Sequence, residues 1–169
     1  VTNCGPGQVV VDGEGGVSTL VAHGSQHLRL LGTGDPETEH GILLRNAGSS
    51  YMGVDMQQGA SNMEVAWLEV TGPAYAGIAI RTYPYCDESL ARGAFTQYDT
   101  RIHHNHVHGV GGEGLYLGPS HYHLDASPTS GSECAPGLPE AALRGVEVYE
   151  NTIEDVGRDG IQVGAAVEG

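Results

Sequence analysis

Apolar side chains recur in the same order in two segments of this chain, DTRIHHNHVHGVGGEGLYLG (99–118) and GVEVYENTIEDVGRDGIQVG (145–164). Placing Asn105 on Asn151 aligns the segments at an offset of 46 residues (151 − 105). The apolar positions that then coincide are Ile102 with Val148, Val107 with Ile153, Val110 with Val156, Leu115 with Ile161 and Leu117 with Val163. An earlier copy, NMEVAWLEVTGPAYAGIAIRT (62–82), fits at an offset of 37 (114 − 77), and a fainter one lies between residues 27 and 46. The chain therefore repeats one template.

Each copy predicts a short strand, a glycine-marked turn and a second strand, because its apolar residues lie two positions apart. Further strand-like stretches, STLVAHG (18–24) and YMGVDMQQG (51–59), bring the number to about three strands per copy. Repeats of this length made of strands predict a solenoid, in which stacked units build one continuous core. An all-β sandwich is the alternative, but it does not explain why side-chain character recurs at matching positions.

The pattern I/V-x-x-N-x-I/V, followed by G-x-[DE]-G-I/L-x-V/L, resembles the right-handed parallel β-helix repeat of the pectate lyase-like superfamily. The resemblance covers residues 18–169. It implies one all-β domain over 1–169, a single-stranded right-handed parallel β-helix (solenoid) with two long inserted loops. It does not imply one function, because the superfamily includes polysaccharide lyases, glycoside hydrolases, epimerases, adhesins and phage tailspikes. Since the chain begins at Val1 and ends within a repeat, we expect a processed or partial chain with incomplete repeats at both ends.

Composition narrows the class of partner. The chain has 27 glycines, one tryptophan, one phenylalanine and seven basic residues, all of them arginine. Its net charge of −14 predicts repulsion from nucleic acids and from anionic membrane surfaces. The same charge disfavours polyanionic substrates unless a cation such as Ca²⁺ mediates. No apolar run approaches the roughly 20 residues that span a bilayer, so direct membrane insertion is not expected.

Two long segments follow the second strand of successive copies, YPYCDESLARGAFTQYD (83–99) and PSHYHLDASPTSGSECAPGLPEAAL (119–143). Because neighbouring coils stack about 4.8 Å apart, both loops are expected on one side of the solenoid, within reach of each other. Cys86 in the first loop and Cys134 in the second predict a disulfide and an oxidising, extracytoplasmic compartment: secreted, periplasmic or cell-surface. Two free thiols in a cytosolic loop are the alternative, and Cys4 is either free or paired outside this chain.

Four histidines crowd into HHNHVHG (103–109) and raise the question of a metal site. On a continuous strand, His104, His106 and His108 would share one face and could bind zinc or nickel. The repeat places Asn105 at a bend, where stacked asparagines satisfy buried backbone groups, so the alternation is broken there. We therefore expect His103, His106 and His108 to point outwards on either side of a bend. A metal-binding module is the least favoured function.

Candidate catalytic residues come from the outward positions. Glu113 and Asp159 hold the same template position one coil apart, which predicts carboxyl groups about 5 Å from each other, near the separation of a retaining glycosidase pair. An ordinary glycine-acid-glycine turn repeated twice is the alternative. A lyase would need a base and a cation that neutralises a uronate carboxylate. The full set of catalytic candidates is His103, Tyr116, Tyr149, Arg81, Glu113 and Asp159.

The loops and the nearby outward positions supply candidate binding residues. For substrate they are Arg101, His121, Tyr122, His123 and Gln162. For Ca²⁺ they are Asp87, Glu88 and Asp125, whose oxygens are the ligands that this ion prefers, although the chain has no EF-hand or nonapeptide motif. No cofactor other than this optional Ca²⁺ is expected.

These patterns favour an extracytoplasmic protein that recognises a polysaccharide or cell-surface glycan, with lyase or hydrolase activity as the enzymatic option. The alternative is a structural or adhesive surface β-helix within a larger assembly. In that case further chain or a protein partner would cap the ends of the solenoid.

Overall fold

The computed structural model describes residues 1–3, 7–33, 38–46, 51–121 and 138–167, and this part of the chain is all-β. Its strands follow one another in successive coils. The first coil contains β1 (Val9–Gly13), β2 (Leu20–Val21) and β3 (Arg29–Leu31), and the second contains β4 (Ile42–Asn46), β5 (Met52–Gln57) and β6 (Met63–Ala66). The third contains β7 (Leu68–Thr71), β8 (Ala76–Arg81) and β9 (Thr96–His103), and the fourth β10 (His106–Val110), β11 (Glu113–Leu117) and β12 (Ala142–Tyr149). The last strands are β13 (Thr152–Val156) and β14 (Ile161–Val163).

Every third strand joins the same sheet. The first sheet is β1-β4-β7-β10-β13, the second β2-β5-β8-β11-β14 and the third β3-β6-β9-β12. All pairings between these strands are parallel. This topology is of the β-solenoid kind, and the sandwich alternative is not observed in the described part.

The register confirms the repeat. Val107 pairs with Ile153 on one side and with Val70 on the other, as the offsets of 46 and 37 predict. Leu115 likewise pairs with Ile161 and with Ile78. Parallel pairing in register places like side chains above one another, so each coil extends the same core.

The core runs through the middle of the coils and is filled by alternate residues of all three sheets. Its fully buried members, each at most 1% exposed, include Leu44, Val70 and Val107 from the first sheet, Val54, Ile78 and Leu115 from the second, and Leu30, Val65 and Ile102 from the third. β-Branched and leucine side chains suit this environment, because they pack well on a pleated surface.

Stacked asparagines stabilise the bend between the third and first sheets, as the sequence predicts. Asn105 is 1% exposed, and its side-chain oxygen accepts a hydrogen bond from the Leu68 N–H at 3.0 Å. Its amide nitrogen donates to the carbonyls of Val65 (3.0 Å) and His103 (2.9 Å). Asn151 repeats the arrangement one coil on, where its oxygen accepts from the Asn105 backbone N–H at 3.0 Å.

The described ends of the two long loops contact each other. The loops follow β8 and β11, which are neighbours in the second sheet. Arg92 of the first loop donates hydrogen bonds to the carbonyls of Pro139 (3.0 Å) and Glu140 (3.2 Å) at the end of the second. Cys134 lies outside the described residues, as do Cys4 and residues 122–125, so the Cys86–Cys134 disulfide stays a prediction. In the described part, no helix has the length and apolar character needed to cross a membrane.

Candidate binding site on the second sheet

The second sheet differs from the other two because its central strands are buried on both faces. Every residue of β5, β8 and β11 is buried. Inward residues such as Ile78 fill the core, while outward Ala79 packs in a separate cluster with Met52, Ala76 and Tyr116. Tyr83, at the start of the loop that follows β8, lies over this outward face and is buried.

Arg81 lies at the centre of this covered face and is only 7% exposed. Its guanidinium carbon is 4.1 Å from the ring centroid of Tyr116, 5.0 Å from that of Tyr83 and 5.3 Å from that of Tyr75. It donates hydrogen bonds to the hydroxyls of Tyr75 (3.3 Å) and Tyr83 (3.4 Å) and to the side-chain oxygen of Gln57 (3.3 Å). No carboxylate of the described residues forms an ion pair with Arg81.

The charge state of this cluster follows from its burial. Burial by itself would lower the pKa of Arg81, but the hydroxyls of Tyr83 and Tyr75 outweigh it, and the pKa is raised overall. Burial raises the pKa of Tyr83 and that of Tyr75. Arg81 is therefore a guanidinium cation at neutral pH, and the raised pKa values of Tyr75 and Tyr83 disfavour either of them as a general base.

Hydrogen bonds continue from Arg81 across all five strands of the second sheet. Towards β2 they pass through Gln57 and Asp55 to His23, whose Nε2 lies 2.9 Å from Asp55 Oδ1. Towards β14 the Tyr83 hydroxyl lies 3.0 Å from that of Tyr116, which bonds to Ser120. Gln162 donates to the same Ser120 hydroxyl at 2.9 Å. The polar groups thus form a continuous track that runs along the stack of coils.

A pair of stacked tyrosines borders the cluster. The rings of Tyr51 and Tyr75 lie 4.7 Å apart at an interplanar angle of 4°, and Tyr51 is 51% exposed. The Arg158 guanidinium lies 6.0 Å from the Tyr75 ring centroid. Gly112 separates Tyr75 from Arg158 in the stack and has no side chain to block this approach. An exposed aromatic surface therefore adjoins the buried cation.

Glu113 and Asp159 hold the paired positions that the repeat predicts, since the Gly114 N–H donates to the Asp159 carbonyl at 3.0 Å. Their surroundings differ. Glu113 is 4% exposed, its Oε1 lies 3.3 Å from Arg158 Nη1, and its Oε2 is buried without a hydrogen-bond partner. Asp159 is exposed. Glu113 is thus paired with Arg158 rather than with Asp159. Its second oxygen, Oε2, could accept a hydrogen bond from a ligand.

Two of the catalytic candidates, His103 and Tyr149, lie on the third sheet and do not join Arg81, Tyr116 and Glu113. His103 ends β9, stacks on Tyr149 with centroids 4.7 Å apart, and places its Nε2 3.2 Å from Glu64 Oε1. The substrate-binding candidate Arg101 lies on the same sheet and forms an ion pair with Glu147 at 2.8 Å. The candidates therefore do not form one site, because β8 and β11 belong to one sheet and β9 and β12 to another.

The bend at Asn105 divides the histidines as expected. His104, with a φ of 53°, lies at the bend and stacks on Trp67 at 4.0 Å. His103 ends β9 of the third sheet on one side of the bend, whereas His106 and His108 point outwards from β10 of the first sheet on the other. With Glu69 they form the one group of three among the described residues whose ligand atoms could hold a metal ion.

The loop candidates are only partly described. The His121 N–H donates to buried Glu140 at 2.7 Å, and Gln162 joins the polar track. Asp87 accepts hydrogen bonds from the N–H and hydroxyl of Ser89, which lower its pKa. Glu88 begins a short 3₁₀ turn, Glu88–Leu90. Tyr122, His123 and Asp125 lie outside the described residues, so the Ca²⁺ site stays a prediction.

Sequence reasoning missed five members of the second-sheet surface, namely Tyr51, Gln57, Tyr75, Tyr83 and Arg158. A signal for two of them was available, because Tyr75, Gly112 and Arg158 are separated by the repeat offsets of 37 (112 − 75) and 46 (158 − 112). Tyr83 and Gln57 gave no such signal, since their contact with Arg81 depends on how the side chains pack over the sheet.

Comparisons of this chain with protein-family models, with curated proteins and with solved structures found no match.

Proposed function

We propose that this protein recognises a polysaccharide on the outward face of the second sheet, beside the stacked tyrosines and the buried Arg81. The observation that carries the proposal is the buried Arg81 cation, enclosed by Tyr75, Tyr83 and Tyr116 without a carboxylate of the described residues beside it. A buried charge without a counter-ion is costly. A uronate carboxylate of an acidic glycan would provide that counter-ion.

The shape of the surface fits an extended ligand. Sugar rings present apolar faces, for which Tyr51 and Tyr75 offer aromatic partners, and their hydroxyls can exchange hydrogen bonds with the polar track from Asp55 to Gln162. The track runs from coil to coil, so a chain of sugars laid along it would meet repeated polar groups. Two arginines at the site, Arg81 and Arg158, would offset the strongly negative charge of the protein locally.

The proposed protein is a right-handed β-helix that acts outside the cytoplasm and could cleave the glycan. A right-handed coil is favoured because nearly all parallel crossover connections have that hand, and it agrees with the resemblance to the pectate lyase-like superfamily. The pairing of Cys86 with Cys134 would support an extracytoplasmic location. Cleavage by a lyase or hydrolase would centre on Glu113, whose carboxylate lies at the same surface.

A panel of acidic and neutral polysaccharides tests the binding. We expect an acidic polysaccharide to bind and Tyr51→Ala to weaken it roughly fivefold by loss of stacking. We expect Arg81→Gln to lower the affinity for acidic glycans at least about tenfold and the affinity for neutral glycans much less. Isothermal titration measures both affinities, and circular dichroism checks that each variant folds.

Tyr98→Ala is the matched control, because Tyr98 is 47% exposed and lies on the third sheet. Equal loss of affinity in Tyr98→Ala and Tyr51→Ala would place the glycan elsewhere. Ultraviolet absorbance of unsaturated uronates reports lyase activity, and new reducing ends report hydrolysis. Binding without either product would leave a lectin-like module.

A structural or adhesive role is the second candidate, and the apolar surface of the first and last coils favours it. Val9 and Val10 of β1 are each 46% exposed, and Ile161 and Val163 of β14 are 48% and 45% exposed. Both strands lie at the ends of their sheets, with unpaired backbone edges. Further protein stacked on these ends would bury them.

This second role predicts concentration-dependent association that depends on the end coils. In sedimentation experiments Val10→Lys together with Ile161→Lys should abolish the association, because charges would be placed where the ends meet. A chain that stays monomeric at all concentrations and still binds a glycan would leave only the first proposal.

A further inference from the structure

We propose that Glu69, His106 and His108 form a binding site for a zinc-type divalent cation on the outward face of the first sheet. This site lies on a different sheet from the proposed glycan surface and does not depend on it.

The three side chains are brought together by strand pairing. Glu69 on β7 and His106 on β10 are direct register partners, and His108 follows two residues later on the same face. The two imidazole rings are stacked with centroids 4.3 Å apart. One ligand atom from each of the three residues lies within 4.8 Å of the others. Ligands bound to zinc at about 2.0–2.2 Å lie about 3.5 Å apart, so small side-chain rotations would close the site.

The contact between His108 and Glu69 is compatible with either a hydrogen bond or a shared metal ion. His108 Nε2 lies 3.2 Å from Glu69 Oε1. When Nε2 carries the ring proton the contact is a hydrogen bond, and when the proton is on Nδ1 the Nε2 lone pair is free to bind a metal ion together with Oε1. A metal ion would also engage His106, whose ring stacks on that of His108, whereas a proton would serve only the one pair.

Neighbouring residues hold the proposed ligands in place. Gln8 Nε2 donates to Glu69 Oε2 at 3.0 Å, which leaves Oε1 directed towards His108. The hydroxyl of Thr71 lies 3.3 Å from His108 Nδ1, the ring nitrogen that does not face Glu69. Such outer contacts orient histidine and carboxylate ligands in metal sites. Gln8 and Thr71 are thus positioning residues.

The remaining surroundings add a second carboxylate and a nearby imidazole. Glu154 Oε1 lies 2.9 Å from His106 Nε2 and orients that ring. The ring of His40 has its centroid 5.9 Å from that of His106, which brings another imidazole to the same face. All three proposed ligands are partly buried, so an ion could enter from solvent while the protein shields it in part.

The ligand set selects the class of ion. Two imidazoles and one carboxylate suit zinc and its borderline neighbours cobalt, nickel and copper, whereas Ca²⁺ prefers oxygen ligands alone. Three protein ligands leave a coordination position for water, which is the arrangement of an open site rather than a closed structural one. The negative charge of the whole protein would also favour a cation at this surface.

Titration of the whole chain with Zn²⁺ tests the proposal. We expect one ion to bind per chain with a dissociation constant in the micromolar range, about 1–10 μM. His108→Gln and Glu69→Gln should each weaken binding at least about tenfold, and Thr71→Val should weaken it less. Zn²⁺ should raise the melting temperature of the unsubstituted protein and not that of His108→Gln.

His103→Gln is the matched control, because His103 Nε2 also lies 3.2 Å from a glutamate oxygen, that of Glu64, on another sheet. It should bind Zn²⁺ like the unsubstituted protein. The spectrum of the Co²⁺-loaded protein should lack the charge-transfer band of a thiolate ligand. Loss of binding in His103→Gln with retention in His108→Gln would overturn the proposal, as would a thiolate band or no Zn²⁺ binding at all.

Discussion

Asn105→Ala is expected to lower the free energy of unfolding by about 2–4 kcal/mol, because a buried unsatisfied polar group costs about 1–3 kcal/mol and this change leaves several. The Leu68 N–H would lose its acceptor, and the carbonyls of Val65 and His103 would lose their donor. The site is 1% exposed, so water cannot replace the amide without opening the bend. Denaturant unfolding followed by circular dichroism measures the change.

Asn151→Ala is the control for this prediction, because Asn151 occupies the same template position one coil later. Its amide donates to the carbonyls of Ile102 (2.9 Å) and Tyr149 (3.0 Å), but the residue is only partly buried. Water can reach these groups more easily, so we expect about half the loss of Asn105→Ala. Equal losses, or a loss below about 1 kcal/mol for Asn105→Ala, would contradict the view that the buried amide stabilises the bend.

Gly114→Ala is expected to destabilise the protein by about 3 kcal/mol through overpacking. A Cβ at Gly114 would lie 2.6 Å from the Gly160 carbonyl oxygen and 2.5 Å from Ile153 Cγ2. Neither neighbour can move freely, because one is backbone and the other lies in a packed strand of the next coil. Equivalent close approaches occur at Gly53 and Gly77, so this template position is narrow throughout the interior of the stack.

Gly160→Ala provides an internal control at the same template position. A Cβ there would meet only Ile153 Cγ2, at 3.9 Å, within ordinary van der Waals contact. We expect a change within about 0.5 kcal/mol, since the substitution adds no clash. If both variants lost the same stability in denaturant unfolding, the cause would be the glycine backbone and not the spacing between coils.

Much of the fold was predictable because, in a solenoid, residues at equivalent positions of successive repeats are stacked on one another. The offsets between Val70, Val107 and Ile153 are the offsets of paired residues in the first sheet. Asn105 and Asn151 could be assigned to a bend for the same reason. Residues that align between repeats are in contact between coils. Aligning the repeats of one sequence therefore identifies neighbouring residues without a structure.

The candidate sites were harder to predict, because each depends on where the functional groups of outward side chains lie in space. The sequence predicted Arg81 and Tyr116 as site residues. It did not predict Tyr83, because this residue lies beyond the end of β8 and outside the aligned positions, although it completes the enclosure of the guanidinium. His103 was grouped with them, although it ends a strand of another sheet. Alignment specifies the position along a coil, whereas the sheet on which a residue lies depends on where each strand bends.

The histidines illustrate the same limit. His106 and Glu69 are separated by the repeat offset of 37 (106 − 69), yet their convergence with His108 depends on ring rotation and on the support of Gln8 and Thr71. A pattern of residue types carries no information about side-chain rotation. The distances between these side chains therefore could not be predicted from the sequence.

The sequence by itself determined the repeated coil, its strand register, the residues that face the core and the asparagine bend, because each is set by local periodicity and by identical units stacking. Only the tertiary structure decided which outward side chains meet. Outward positions are free to vary from coil to coil, and their contacts depend on how three sheets meet at bends and on residues beyond the strand ends, such as Tyr83 and Ser120. Arg81 among its tyrosines, and Glu69 with two histidines, are products of that packing.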